Sequence, residues 1–463
     1  ALRPERIGRY NSGPSTLTPA IDEWSNQAFV SRNCFACTNV TDSSMTTITT
    51  GRYPTRHGII NHASRVTEEE RRLVMNSKNL PEWLSDEFYT FAVDKLERWH
   101  TRGFDEYTYP SPEKTSSLSL LSIARELKNQ LPSHIQNPIE DAYSMVFPEP
   151  ETEITHASAP AVTDATLQQI RSTDDNWVGL VHYWDVHLPY QNVDEITVKS
   201  DDCYYDEQPL PEVLQNIEGS PWYNQLLGQL AGEAETLGDL QRDYDRSVHL
   251  VDQEFGRLIA GLKSEGIAED TAIILTADHG ESFTEHDIFF EHHGLYDASL
   301  NVPLIVDAPG ININSSQFIQ HFDLVPTILD LLNISYNSEV FDGSSLIADA
   351  NAIEARDAIF AEEAHTTRRR AIRTDQYKYI ELLSGTPTCR YCEINHGPSK
   401  ELYDIRSDPD EETNIYESNP EIAKRLKYRL SDWVESIPTP EPANEGFKPD
   451  SDAVERLEAM GYL

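Results

Sequence analysis

Thr271-Ala272-Ile273-Ile274-Leu275-Thr276-Ala277-Asp278-His279-Gly280-Glu281-Ser282 is an apolar, β-branched run that breaks off into acid, imidazole and glycine. The apolar part is short and β-rich, so it reads as a buried strand with polar residues at its carboxyl end. An adjacent Asp and His at that position offer one oxygen and one nitrogen ligand to a single divalent ion, and Gly280 lets the backbone turn behind them. Taken alone, the pair also fits a plain strand-terminal turn with a capping Asp. Further clusters weaken that plain reading. His286, Glu291, His292 and His293 follow closely, and a second apolar run, Trp177 to Tyr183, ends in His182-Tyr183-Trp184-Asp185-Val186-His187-Leu188-Pro189-Tyr190. In open parallel sheets, catalytic groups gather at the carboxyl ends of strands.

Working outward, the spacing predicts a helix over Pro19 to Phe29, a hydroxyl-exposing turn over the Ser/Thr-rich stretch Cys34 to Thr50, a helix beginning at Leu80 and a strand over Tyr89 to Val93. An amphipathic helix over Leu118 to Leu131 and a long helix over Leu240 to Leu262 follow, then a strand over Val302 to Val306 and a helix over Asp323 to Leu332. Asn192 to Gly238 is acidic and Tyr-rich without clean periodicity and reads as a surface insertion. The fold class expected is α/β, with a mostly parallel central sheet flanked by helices over residues 1–335. Residues 336–463 read as a small C-terminal α+β subdomain, with strands at Ala371-Ile372-Arg373, Tyr377 to Leu382 and Glu401 to Asp404, a helix over Glu421 to Val434, and an acidic, Pro-rich tail.

Of 463 residues, 37 are basic and 78 acidic, giving a formal charge of −41 spread along the whole chain. Such a surface repels nucleic acid and anionic membrane, so neither is expected as a partner. An anionic substrate requires a local cluster of cations or a metal that reverses the field. Arg outnumbers Lys, which with the acid excess suggests adaptation to high salt, where repulsion is screened. No stretch resembles a membrane helix or a secretory signal, so a soluble, cytoplasmic enzyme is expected. Five Cys exclude a disulfide scaffold. Cys34/Cys37 and Cys389/Cys392 have zinc-site spacing but lie far apart, without a conventionally spaced His, so buried or free thiols are expected.

Thr50-Gly51-Arg52-Tyr53-Pro54-Thr55-Arg56-His57-Gly58 resembles the signature segment of the sulfatase family of the alkaline phosphatase superfamily. Leu2-Arg3-Pro4, Thr18 to Asp22, Gly103-Phe104-Asp105-Glu106, Asp278 to Glu281, Leu295-Tyr296-Asp297, Asp323 to Thr327 and Glu401 to Asp404 resemble further blocks of that family in the same order. The resemblance implies an alkaline-phosphatase-like fold, a divalent ion and hydrolysis of an anionic sulfate or phosphate ester. It also implies a Cys or Ser nucleophile, oxidised to formylglycine, upstream of Gly51. Here that stretch is Thr41-Asp42-Ser43-Ser44-Met45, without the family's Pro and Arg, and Thr cannot become formylglycine. Coordination to an ion still lowers a hydroxyl's pKa and orients it, so Thr41 can attack in line; Ser43 and Ser44 are alternatives.

By the same resemblance, Asp278, His279 and Thr41 hold the ion, Arg52 stabilises the nucleophile segment, and His187 with His292 or His293 binds the substrate anion. Asp185 is expected to ligate a second metal or orient His187, and His182 and His293 are expected to support the site from behind. Arg98-Trp99-His100 is similar to the family's Lys-Trp-His element, with His100 as an acid for the leaving group or simply a packed His. The resemblance also implies a metal-binding Asp just before Ala1, so the natural N-terminus is expected to extend upstream. Oxygen-rich ligation suits Ca, Mg or Mn, and a more His-rich site suits Zn. Three functions stay open: a sulfatase, a phospho-ester hydrolase or phosphoethanolamine-type transferase using the same Thr, and a noncatalytic relative.

Overall fold

Tyr89–Val93 pairs in parallel with Glu106–Thr108 on one side and Trp177–Val181 on the other. Ile273–Thr276 instead pairs antiparallel with Leu304–Asp307, which pairs antiparallel with Phe29–Ser31. The computed structural model describes residues 1–11, 17–84, 87–110, 157–190, 205–217, 219, 221–309, 317–347 and 356–437. Among them, the remaining parallel pair is Cys34–Phe35 with Ile319–Gln320. The α/β architecture matches expectation, but the strand leading to Asp278 is not in a parallel pair. A parallel return needs a crossover connection of a dozen or more residues, usually a helix, whereas the chain between Thr276 and Leu304 contains only short helices and runs through the loops around Asp278 and His292.

Trp177–Val181 and Ile273–Thr276 were expected to be buried on both faces, yet each is half-buried along its length. Both lie at the end of their described sheets, with one hydrogen-bonded neighbour each, so one edge has no strand packed against it. Their carboxyl ends still carry the His and Asp clusters. Behind them, Leu237–Glu265 packs on Ala159–Arg171 and Pro19–Trp24. It opens with a reciprocal cap between Thr236 and Asp239 and closes on Gly266 in the left-handed region.

The Ser/Thr-rich stretch is the main departure. Thr41–Thr50 is a helix with nine buried residues, not a turn that exposes hydroxyls. Its polar side chains bond back into the helix itself: the hydroxyls of Thr46, Thr47, Thr49 and Thr50 donate to the carbonyls of Asp42, Ser43, Met45 and Thr46 at 2.6 to 3.1 Å. A hydroxyl satisfied four residues back carries no burial penalty, so Ser and Thr fill the core here. Gly51 ends the helix at φ 66°, and a Cβ there would sit 2.7 Å from Phe341.

The C-terminal subdomain is a four-stranded antiparallel sheet in the order Lys400–Asp404, Tyr377–Ser384, Arg368–Thr374, Ala358–Glu363, packed by the helix Pro420–Ser436. Phe360 stacks on Trp433 at 4.2 Å between ring centres. The sheet joins the rest of the chain through the fully buried Lys378, whose Nζ lies 2.8 Å from both Asp297 and Glu411. Arg373 adds a 2.8 Å bond to Asp297. The helix expected over Leu118 to Leu131 and the acidic tail lie outside the described residues. Within the expected insertion, Leu210–Asn216 and Pro221–Leu230 are helical. No described helix is long and apolar enough to cross a membrane.

Candidate active site

Thr41 is the first residue of its helix, and its Oγ1 lies 3.2 Å from Nε2 of His279. The helix start places its positive dipole end beside Thr41. Ser43 and Ser44 are committed elsewhere: Ser43 Oγ donates to the carbonyl of Ile59 at 2.6 Å, and Ser44 Oγ to the carbonyl of Asp278 at 2.6 Å. Of the three hydroxyls, Thr41's is the one bonded to the His279 ring.

His279 Nδ1 donates to the carbonyl of Gly280 at 2.8 Å, which leaves the Nε2 lone pair facing Thr41 and Asp278 Oδ2, the latter 3.2 Å away. Burial would raise the Asp278 carboxyl, but the adjacent His279 imidazole holds it well below the usual range. An ionised carboxylate, an imidazole with a free lone pair and a hydroxyl therefore converge. Their 3.2 Å separations match adjacent ligands around a divalent ion with bonds near ~2.1 Å. The donor set fits the implied metal. Gly280 has a role different from the expected turn. A Cβ there would lie 2.0 Å from the carbonyl oxygen of Ala298, so it is close backbone approach that requires glycine.

Around this centre the His-rich loops add imidazoles. The ring of His292 lies 3.9 Å from that of His279, and the ring of His187 lies 6.3 Å from His279 and 5.6 Å from His292. His292 Nδ1 donates to the carbonyl of Asn39 at 2.5 Å and its Nε2 lies 3.9 Å from Glu291 Oε2, while His187 Nδ1 donates to the carbonyl of Leu188 at 2.7 Å. Burial, then the charge of His279, pushes His187 down to about 3. The same causes push His292 well below the ordinary range.

Other expected site residues face elsewhere. Arg52 lies beyond the far end of the helix, about 15 Å from Thr41 at 1.5 Å per residue; its Nε donates to the carbonyl of Val340 at 2.9 Å and its Nη1 to Ser77 at 3.1 Å. It anchors the helix end and cannot reach a substrate at Thr41. Asp185 accepts from the amide of Ala159 at 2.9 Å, at the start of the helix Ala159–Arg171, and burial raises it to about 6. Its Oδ1 thus caps a helix start. His100 Nε2 lies 3.3 Å from Asp42 Oδ1, with Arg98 and His62 on the same carboxylate at 2.5 and 2.9 Å. That clamp fixes the residue after Thr41 and engages His100 Nε2 with Asp42. His182 Nδ1 pairs with Asp94 at 2.9 Å, and His293 faces Cys389.

One cation escaped the sequence reading. Lys95 follows the carboxyl end of Tyr89–Val93, and its Nζ lies 3.7 Å from the ring centre of Trp184. Desolvation lowers it to about 7, against the pull of Asp94. The strand end Val93-Asp94-Lys95 was the available signal, and Arg98-Trp99-His100 drew attention past it.

The sulfatase family's sequence profile matches residues 5–334, and that of the C-terminal part of N-sulphoglucosamine sulphohydrolase matches residues 284–436. Arylsulfatase K of Bos taurus is 31% identical over 193 residues, which is 39% of this chain and 34% of that one, so the match spans about a third of that relative's length. In three dimensions the chain is similar to a 2-O GAG sulfatase, with TM-score 0.64 and 18% identity, covering 93% of this chain and 89% of the other. It is also similar to the phosphonate monoester hydrolase of Silicibacter pomeroyi, with TM-score 0.61 and 17% identity over 91% of each chain. With the family profile extending over most of the chain and the Asp-His pair and the Thr-Gly-Arg helix end both inside it, this protein belongs to the sulfatase family.

Proposed function

We propose that the protein hydrolyses sulfate esters through in-line attack by Thr41. The observation that carries this reading is the convergence of Thr41 Oγ1 on His279 Nε2 beside the ionised Asp278, at a helix N-terminus. A divalent ion bound by Asp278, His279 and Thr41 would supply Lewis-acid charge that lowers the hydroxyl's pKa and neutralises a nonbridging oxygen. Lys95 and the positive dipole end of the Thr41 helix orient the remaining anionic oxygens, opposing the field of a chain of formal charge −41. The Thr41 oxygen forms a bond to sulfur as the ester S–O bond breaks, and the departing alcohol carries the proton that Thr41 gives up. Water then attacks the same sulfur, releases hydrogen sulfate and restores the hydroxyl. Asp42, held by Arg98, His62 and His100, positions Thr41 without touching substrate.

Phospho-ester hydrolysis with the same nucleophile is the second reading. It is favoured by Thr at a position that cannot give formylglycine and by the resemblance in fold to a phosphonate monoester hydrolase. Turnover of nitrophenyl sulfate, phosphate and phosphodiester, with and without divalent metal and in high salt, separates the two. Metal-dependent release from the sulfate that disappears in Thr41→Ala supports the first reading. Release only from phospho-esters supports the second, and turnover that survives Thr41→Ala defeats both.

A further inference from the structure

His293, Cys389, Cys392 and His396 form a fully enclosed cluster away from Thr41. Their ligand atoms all lie within 4.8 Å of one another, and the four residues are 0 to 7% exposed. Cys392 Sγ lies 2.9 Å from His396 Nε2, and Cys389 Sγ lies 3.8 Å from His293 Nδ1. A zinc tetrahedron with bonds of about 2.0 to 2.3 Å has edges of roughly 3.3 to 3.8 Å, so changes of up to about 1 Å in these separations complete it. We propose that these two thiolates and two imidazoles bind a structural zinc ion, separate from the ion at Asp278 and His279.

Three features of the surroundings support a metal over loose thiols. The Cys389-x-x-Cys392 segment is a tight knuckle in which the amides of Tyr391 and Cys392 both point at Cys389 Sγ, at 3.3 and 3.5 Å. Such N–H···S bonds stabilise a thiolate ligand. The turn is closed by Cys389 N donating to the carbonyl of Ile394 at 2.8 Å and by Glu393 at φ 65°. Each imidazole presents one nitrogen to sulfur and backs the other with an acceptor, His396 Nδ1 with the carbonyl of His286 at 3.3 Å and His293 Nε2 with Glu291 at 3.8 Å. That is the arrangement by which proteins orient metal-binding histidines. Charge also balances: two thiolates and two neutral imidazoles around a dication form a neutral unit, which a buried site tolerates far better than unpaired thiolates.

Cys34 and Cys37, the other Cys-x-x-Cys segment, take no part in the cluster. Cys34 belongs to the strand beside Ile319, and Cys37 takes a weak bond from Gln320. The fourth ligand comes from His293, next to His292 of the candidate active site. The zinc would therefore tie the His292 loop to the C-terminal subdomain.

The test is metal analysis and cobalt substitution of the full chain. We expect about one zinc per chain that is released when a mercurial blocks the thiols. The cobalt form should show intense tetrahedral bands and a thiolate-to-cobalt charge-transfer band, which no ligand at Asp278 and His279 can produce. Cys392→Ser and His396→Gln should each lower zinc occupancy at least tenfold, and Cys34→Ser/Cys37→Ser should leave it unchanged. If a variant fails to fold, the cobalt spectrum of the unaltered chain decides. A folded chain without zinc and without the charge-transfer band, a Cys389–Cys392 disulfide in the isolated protein, or zinc retained in both variants overturns the proposal. None of these measurements uses turnover, so they stand apart from the sulfatase reading.

Discussion

The hydroxyl of Thr41 and the Nε2 of His279 lie 3.2 Å apart although 238 positions separate them in the chain. A helix start and a strand end meet there, bringing a hydroxyl, a carboxylate and a lone pair to one point.

Thr41→Ala should reduce kcat by a factor on the order of 10⁴ or more, as expected for loss of a nucleophile. Thr41→Ser, which keeps the hydroxyl, should retain measurable turnover. Thermal unfolding should change little in either variant, because the helix keeps its other hydroxyl bonds. The check is turnover of the nitrophenyl ester series beside calorimetry.

Arg52 gives the contrasting case. It bonds to the carbonyl of Val340 and to Ser77 at the other end of the helix. Arg52→Ala should therefore cost about 1.5 to 3 kcal/mol of stability, the range for hydrogen bonds made by a charged group. Its kcat/KM, measured well below the lowered Tm, should stay within a few-fold of the original. A large loss of kcat with unchanged Tm would return Arg52 to the substrate.

Lys95 should govern the basic limb of the pH profile. Desolvation lowers it to about 7, so in the free enzyme its charge is present below that pH and lost above it. kcat/KM for an anionic ester should fall as pH rises through this region. Lys95→Arg keeps the charge and should move the fall to higher pH, whereas Lys95→Ala should lower kcat/KM by about 10²-fold below about pH 7, with the deficit narrowing as pH rises and the original enzyme loses the Lys95 charge. An unchanged pH profile in Lys95→Arg would exclude the assignment.

Acid should destabilise the fold partly through His57. Burial, then Arg52, pushes it down to about 3 from an ordinary 6.5. Between those values the unfolded chain binds a proton that the folded chain does not, so stability falls as pH drops through the window, by up to about 1.4 kcal/mol per pH unit. His57→Gln removes this contribution. The stability difference between the two proteins, from urea unfolding at several pH values, should be flat above pH 6.5 and shift in favour of the variant below it.

The buried ion cluster of Lys378 and Arg373 with Asp297 and Glu411 should behave as a structural clasp. Asp297→Ala leaves Lys378 with one carboxylate in a buried site and should cost about 3 to 5 kcal/mol. Because the pair is buried, the loss should persist in concentrated salt. A loss that vanishes in salt would mark the cluster as solvent-screened.

Much of this was legible in the sequence because it depended on short-range pattern. Apolar runs marked Tyr89–Val93, Trp177–Val181 and Ile273–Thr276, and their polar ends marked His182 to His187 and Asp278-His279, since strand period and turn chemistry are local. The Thr41 segment was located but misread as an exposed turn, because bonding of its hydroxyls back into their own helix leaves no trace in composition. What only the tertiary structure decided was partnership. It turned Asp185 and His100 to a helix start and to Asp42, carried Arg52 away from Thr41, and brought Lys95 beside Trp184. It also joined His293 to Cys389, Cys392 and His396, whose spacing along the chain gives no zinc pattern that includes His293. Residue types set which chemistry the chain can offer, but distances of a few ångströms between residues far apart in sequence depend on how the sheets, loops and C-terminal subdomain pack.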